Sequence, residues 1–232
     1  MGEPRFRVDP SFSALFPKVV IGTIITRGLD NGLHGAECAA VLEAAALGGA
    51  ARLGDADIAS HPAVAPWREA YRSFGVKPAK FRSSIENLLR SARAGTIRSV
   101  NPLVDLYNAV SLRFMLPCGG EDLRAIRGPI VLTRATGDEH FVPLGAAEAQ
   151  PPGPGEVIYR DEVGVICRCW NWREADRTKL TASTTDAFLC IEGIPPAGAL
   201  EVREACDALA ALVRRYLGGE IKVSLSSNVA VP

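Results

Sequence analysis

The apolar pattern of this chain changes period part-way along, and that change limits the folds open to it. From Pro129 to Gly193 the sequence consists of short β-rich runs, IVLTR, HFVPL, EVIYR, VGVICRCW and DAFLCIEG, separated by Gly, Pro and Asp. That pattern predicts a sheet. Before it, helical spacing dominates. In Ser83 to Arg93, residues Ile85, Leu88, Leu89 and Ala92 fall on one face and leave Arg90 and Arg93 outward. Asn101 is placed to cap a helix with Pro102 in its first turn, running to about Leu116 before Pro117 and Gly119-Gly120. Further upstream, the β-branched run Val19 to Thr26 predicts a buried strand of a central sheet. Ala36 to Leu47, closed by Gly48-Gly49, predicts a helix. A last helix from about Leu200 to Leu217 puts Ala205, Leu209, Leu212 and Tyr216 on one side, stops at Gly218-Gly219 and precedes a strand from Glu220 to Leu225.

The fold class that follows is α+β, a mixed α/β order with helices packed on a mixed β-sheet. No charged linker or composition break divides the chain. Residues 1–232 therefore read as a single domain, with a strand-helix part to about 98, a core over about 99–195, and a C-terminal helix and strand from about 196.

Charge and cysteine usage narrow the function classes. The 26 Lys plus Arg balance 26 Asp plus Glu, so no global positive field draws in nucleic acid, and any RNA contact is local. DNA is not an expected partner. The densest basic cluster, Lys77, Lys80, Arg82, Arg90 and Arg93, is either a grip on RNA phosphates or an ordinary solvated face. The six cysteines contain no Cys-x-x-Cys pair and only three histidines accompany them, so neither a structural metal nor a cofactor is expected. Several cysteines sit in apolar runs, as in Val165-Ile166-Cys167, which suits reduced thiols and a cytoplasmic setting. The first residues lack an apolar leader and no apolar run reaches membrane-spanning length, so no membrane association is expected. The oligomeric state is not written in the sequence.

Four groups of residues are candidates for chemistry. On a helix, Asn101, Asp105 and Asn108 share one face, although Asn101 also has the simpler use of an N-cap. If extended, Trp170-Asn171-Trp172-Arg173 points two indoles the same way beside a planar cation, a surface for stacking a base, with core packing as the competing use. Gly119-Gly120 supplies either backbone donors for a polarised carbonyl or an ordinary turn. Glu192 follows an apolar strand, and a carboxylate buried there selects for a ligand able to satisfy it, unless the strand end is solvated.

The stretch Ser99-Val100-Asn101-Pro102-Leu103-Val104-Asp105-Leu106-Tyr107-Asn108 resembles the Val-Asn-x-x-Val-Asp-x-Thr-Asn segment of the B3/B4 domain, the editing and tRNA-binding module of the phenylalanyl-tRNA synthetase β subunit. The similarity continues through Leu116-Pro117, Asp122-Leu123, Ile126 and Gly128, the strand Ile130 to Arg134, Glu156-Val157-Ile158 and Asp161. The resemblance implies a B3/B4-like fold and a freestanding trans-editing aminoacyl-tRNA hydrolase, with the aminoacylated 3′ end of tRNA as partner. It implies that Glu192 reads a substrate hydroxyl, that Asn101, Asp105 and Asn108 shape the pocket, and that catalysis falls among Asp105, Glu192, Gly119 and Gly120. The family's Pro-Leu-His-Ala-Phe-Asp motif corresponds to Pro117-Cys118-Gly119-Gly120-Glu121-Asp122, so Gly119 stands where the family has a histidine. Two alternatives stay open: a non-catalytic tRNA or amino-acid binding module, and a hydrolase of a free small amino-acid derivative.

Overall fold

A computed structural model of the protein describes residues 6–227. The first five residues, read above for an apolar leader, lie outside the described residues.

The chain opens with a short strand, β1 (Phe6–Val8), and a short helix, α1 (Pro10–Leu15), followed by β2 (Val20–Arg27) and α2 (Gly35–Leu53). Three further helices follow: α3 (Ala65–Ser73), α4 (Ser84–Arg93) and α5 (Pro102–Phe114). Then come β3 (Cys118–Asp122), β4 (Ile130–Arg134), β5 (Val157–Arg160), β6 (Val165–Arg168), β7 (Arg173–Glu174) and β8 (Ala187–Gly193), and the chain closes with α6 (Ala199–Tyr216) and β9 (Glu220–Ser227). Among the described residues no helix is long and apolar enough to cross a membrane.

The α+β class is as the sequence implies, but the one central sheet is two. A five-stranded sheet runs in the order β1-β4-β5-β6-β7 and is mixed, since β1 pairs parallel to β4 and the rest are antiparallel. A four-stranded antiparallel sheet runs β3-β8-β2-β9, so the predicted strand from Val20 pairs with β8 and β9 and not with the β4–β7 group. One face of this second sheet, with Val20, Ile24, Leu189 and Ile191, is covered by α5 and α6 through Leu103, Leu106, Ala205, Leu209 and Val213, all buried. Its other face, with Ile21 and Phe188, turns toward the first sheet and shares a core with Leu132, Val157, Tyr159 and Ile166.

Local signals explain most boundaries. Ser83 caps α4 by accepting from the Glu86 amide, and Asn101 caps α5 by accepting from the Val104 amide. Three expectations fail for tertiary reasons. Gly48-Gly49 does not stop α2, which continues to Leu53 and ends at Gly54; a Cβ on Gly49 would lie 3.3 Å from Leu112, so a glycine there permits close approach of α2 to α5. HFVPL is not a strand: only Pro143 makes an isolated bridge, to Ala175, while Phe141 is buried in a small side cluster. Proline lacks the amide a ladder needs. Conversely, Cys118–Asp122 is a strand and Gly119-Gly120 is not a turn. The short elements α1 and β1 carry too little periodicity to stand out in the sequence, whereas α3 and its C-cap do bury Trp67, Ala70, Tyr71 and Phe74 at helical spacing.

Candidate functional site

Register decides what faces the space between the two sheets. On the four-stranded sheet, Gly119 pairs with Cys190 and Glu121 with Phe188, so Glu121, Phe188, Cys190 and Glu192 share a face. On the five-stranded sheet, Tyr159 pairs with Cys167 and Cys167 with Glu174, which makes a second cross-strand row. The two rows line one cavity of about 190 Å³, closed by Ser84 of α4, Tyr107 and Asn108 of α5, and the loop carrying Trp170, Asn171 and Trp172. A cavity of this size holds a small aromatic ring; an engineered apolar void of ~150 Å³ accepts benzene.

Three carboxylates stand on its wall. Glu192 is 1% exposed, and its oxygens accept from the Tyr159 hydroxyl, from Trp170 Nε1 at 2.6 Å and from Asn171 Nδ2 at 2.7 Å. Burial raises its carboxyl above the ordinary value, while these three donors pull it back. Asn171 is itself held by the Tyr71 hydroxyl at 2.8 Å. Glu121 is 5% exposed, and its Oε2 has no hydrogen-bond partner. Burial and the neighbouring Glu174 charge push its carboxyl well up. Burial pushes Glu174 up to about 7, against the Gly120 amide and Arg173, which pull it down. Ser84 Oγ, also on the cavity wall, is a second buried oxygen without a partner. The thiols of Cys167 and Cys190 face the same space, and burial pushes both well up, so they are neutral; Cys118, paired with Ile191, turns its thiol to the packed face.

Measured against the sequence-level candidates, the geometry is selective. Asn108 and Glu192 line the cavity together. Asn101 and Asp105 do not: Asn101 caps α5 and ties it to Asn31 and to the Leu180 carbonyl, and Asp105 accepts from Ser99 and from the Val100 amide. One helical face holds all three residues, but only its C-terminal part reaches the space between the sheets. The tryptophans form no common stacking surface. Cys169 and Trp170 have φ of 46° and 66°, so the segment turns instead of extending. Trp170 is fully buried and packs against Phe12, Phe16 and Trp67, whereas Trp172 packs edge-on against Phe81 with Arg173 over it.

The adjacent glycines differ. A Cβ on Gly120 would sit 2.5 Å from Leu189 and 3.1 Å from the Phe188 carbonyl, whereas one on Gly119 would meet only Glu174, at 3.6 Å. Position 119 opens on the cavity. None of the three histidines is on its wall.

In the basic cluster, Arg82 and Arg90 converge with Arg68 on the fully buried Glu86, at 3.7, 3.0 and 2.7 Å. Arg93 donates to the Ala56 carbonyl, and Lys80 lies over the Phe81 ring. Lys77 is exposed.

Residues 66–218 match the sequence model of the B3/4 domain. The chain belongs to the B3/4 domain family. Among solved structures, this B3/4 domain is similar to an N-terminal fragment of the phenylalanyl-tRNA synthetase β subunit from Pyrococcus horikoshii, with 15% identity and a TM-score of 0.53 over 95% of this chain. That likeness is one of fold, and the chain spans about half (51%) of the fragment's length. No curated protein matches the chain.

The family-level resemblance pointed to Glu192 and Asn108. Glu121, Glu174, Tyr107 and Tyr159 were missed, because the register between strands far apart in sequence, not a local motif, brings them together. The one available signal was the alternation of Phe188, Cys190 and Glu192 along a single strand.

Proposed function

We propose that this B3/4 domain takes the aminoacyl end of a charged tRNA into the cavity between its sheets and hydrolyses the ester of a wrongly attached amino acid. The observation that carries this reading is the cavity itself: it matches a small side chain in size, and Asn108 and Glu192, which the family resemblance assigns to the editing pocket, both line it. In the reaction a water adds to the ester carbonyl, the bond to the terminal ribose oxygen breaks, and that oxygen leaves as the hydroxyl. With glycine at 119, the proton from water passes to a carboxylate of the wall or is managed by the ribose hydroxyl of the substrate, and positioning supplies much of the rate.

Glu192 is the proposed reader of a hydroxyl on the side chain. Tyr159 presents a phenol to it, so a substrate hydroxyl would replace or join one that the fold already provides. Phosphate contacts fall to Lys77, Lys80 and the outer edges of Arg82, Arg90 and Arg93, a small set that predicts weak and salt-sensitive RNA binding.

The deciding measurement is deacylation of a panel of correctly and incorrectly charged tRNAs by the purified protein. Hydrolysis of a subset of mischarged tRNAs is expected, with Glu192→Gln eroding discrimination between hydroxylated and plain side chains more than it slows both. No hydrolysis combined with retained binding of charged tRNA would instead establish the second reading, a binding module, which the lack of a histidine on the cavity wall favours.

A further inference from the structure

The described residues divide their buried carboxylates into two kinds. Outside the cavity each has an arginine or a full set of donors: Glu86 has Arg68 and Arg90, Glu156 has Arg168 at 2.8 Å, and Asp161 has Arg177 at 2.8 Å. This is the usual arrangement, because an unpaired buried charge is costly. Glu121 and Glu174 are the exception. Neither makes an ion pair among the described residues and they repel one another; Glu121 Oε2, in a residue 5% exposed, has no partner within hydrogen-bond distance, and only the neighbouring Thr178 hydroxyl, itself without a partner, and for Glu174 the Gly120 amide act to ease them. Arg177, which lies toward Glu121, is already committed to Asp161 through both of its terminal nitrogens. Arg173, toward Glu174, is exposed over Trp172.

We propose that the Glu121–Glu174 pair is the receptor for the ammonium group of a ligand in the cavity, the ligand class being a primary amine on an aromatic or apolar body, such as an amino acid with a free α-amino group. An ammonium supplies what the site lacks, one positive charge with three donors. It would give Glu121 Oε2 its missing partner and place a cation between two carboxylates that otherwise oppose each other. The rings of Tyr107, Tyr159 and Phe188 on the same wall suit the apolar body of such a ligand and add cation–π attraction. The inference rests on reading the cavity as the ligand site and adds which of its groups holds which part of the ligand: Glu192 at one end for a hydroxyl, Glu121 and Glu174 at the other for the amine.

The test is calorimetric binding of tyramine and of 4-propylphenol, which replaces the ammonium by a methyl group, to the full chain. Tyramine is expected to bind about ten- to hundredfold more tightly, the range for hydrogen bonds to a charged group. Glu121→Gln and Glu174→Gln should each remove most of that preference and leave 4-propylphenol binding unchanged, with thermal unfolding verifying that each variant is folded. Because Glu174 is only half-buried, its variant serves if Glu121→Gln does not fold. Equal affinity for the two probes, or an undiminished tyramine preference in a folded glutamine variant, would overturn the assignment while leaving the cavity as a ligand site. Binding of neither probe also overturns it, and the deacylation panel then decides the hydrolase reading by itself.

Discussion

The two faces of the four-stranded sheet are built from the same strands and serve opposite ends. On the face toward α5 and α6, Val20, Ile24, Leu189 and Ile191 are buried against Leu103, Ala205, Leu209 and Val213, and the β3 carboxylate on that side, Asp122, is held by Arg124 and the Thr184 hydroxyl. On the face toward the five-stranded sheet, the intervening residues of β3 and β8 are Glu121, Phe188, Cys190 and Glu192, and a cavity of about 190 Å³ is left open. The difference shows that strand alternation separates a fully packed face from one that borders a cavity. One side is packed to specify the fold. The other tolerates space and uncompensated charge because its partner supports it.

The strongest challenge to that division is substitution at neighbouring residues of β8. Leu189 is fully buried on the packed face, so Leu189→Ala should cost about 2–5 kcal/mol. Cys190→Ala, one residue along and on the cavity, should cost less than half as much. Urea unfolding of both variants gives the comparison, and equal losses would mean that the cavity face is packed as tightly as the other.

The adjacent glycines sharpen the contrast at smaller amplitude. Gly120→Ala drives a methyl into Leu189 and the Phe188 carbonyl and should cost about 1–3 kcal/mol, the range for overpacking. Gly119→Ala points into the cavity and should stay within about 0.5 kcal/mol of wild type. Thermal melts of the pair test this. A Gly119→Ala penalty as large as that of Gly120→Ala would show that the cavity does not open at position 119.

The smallest effect is in pH dependence, because water reaches the half-buried Glu174 and screens it. Burial raises this carboxyl from its ordinary value of 4.5 to about 7, so the unfolded chain releases its proton first as pH rises. The stability it contributes is complete below pH 4.5 and is lost progressively toward pH 7. Glu174→Gln should flatten that decline in unfolding free energy. An identical pH profile in the variant would show that Glu174 titrates as an exposed group.

The elements that could be read from the sequence were those whose cause is local. The α4 helix follows from Ile85, Leu88, Leu89 and Ala92 with Ser83 as its cap, and α5 follows from the Asn101-Pro102 start. The β-branched run that became β2 was visible too, though its strand partners were not. Gly48-Gly49 misled because the composition of a helix stop equals that of a close helix contact, and only the presence of Leu112 across the interface separates the two. At the candidate cavity, Asn108 was named through the Asn101 to Asn108 motif, and Glu192 through its place after an apolar strand and the family resemblance. Of the two uses open to the tryptophans, Trp170 took core packing, and the left-handed turn at Cys169 and Trp170 that decides this cannot be read from the sequence of the segment.

The sequence by itself determined the α+β class, the caps and apolar faces of the longer helices, and the kinship of the Asn101 to Asn108 segment, because each of these depends on residues within a turn or two of one another. Tertiary structure alone decided that there are two sheets, and that Tyr159, Cys167 and Glu174 of one face Glu121, Cys190 and Glu192 of the other. Strand register sets which side chains meet across a ladder, and sheet packing sets which ladders meet across a cavity. Neither is encoded at short range, so the upward shift of a carboxyl such as that of Glu121, caused first by burial and then by Glu174 more than fifty positions away, emerges only when the chain has closed around it.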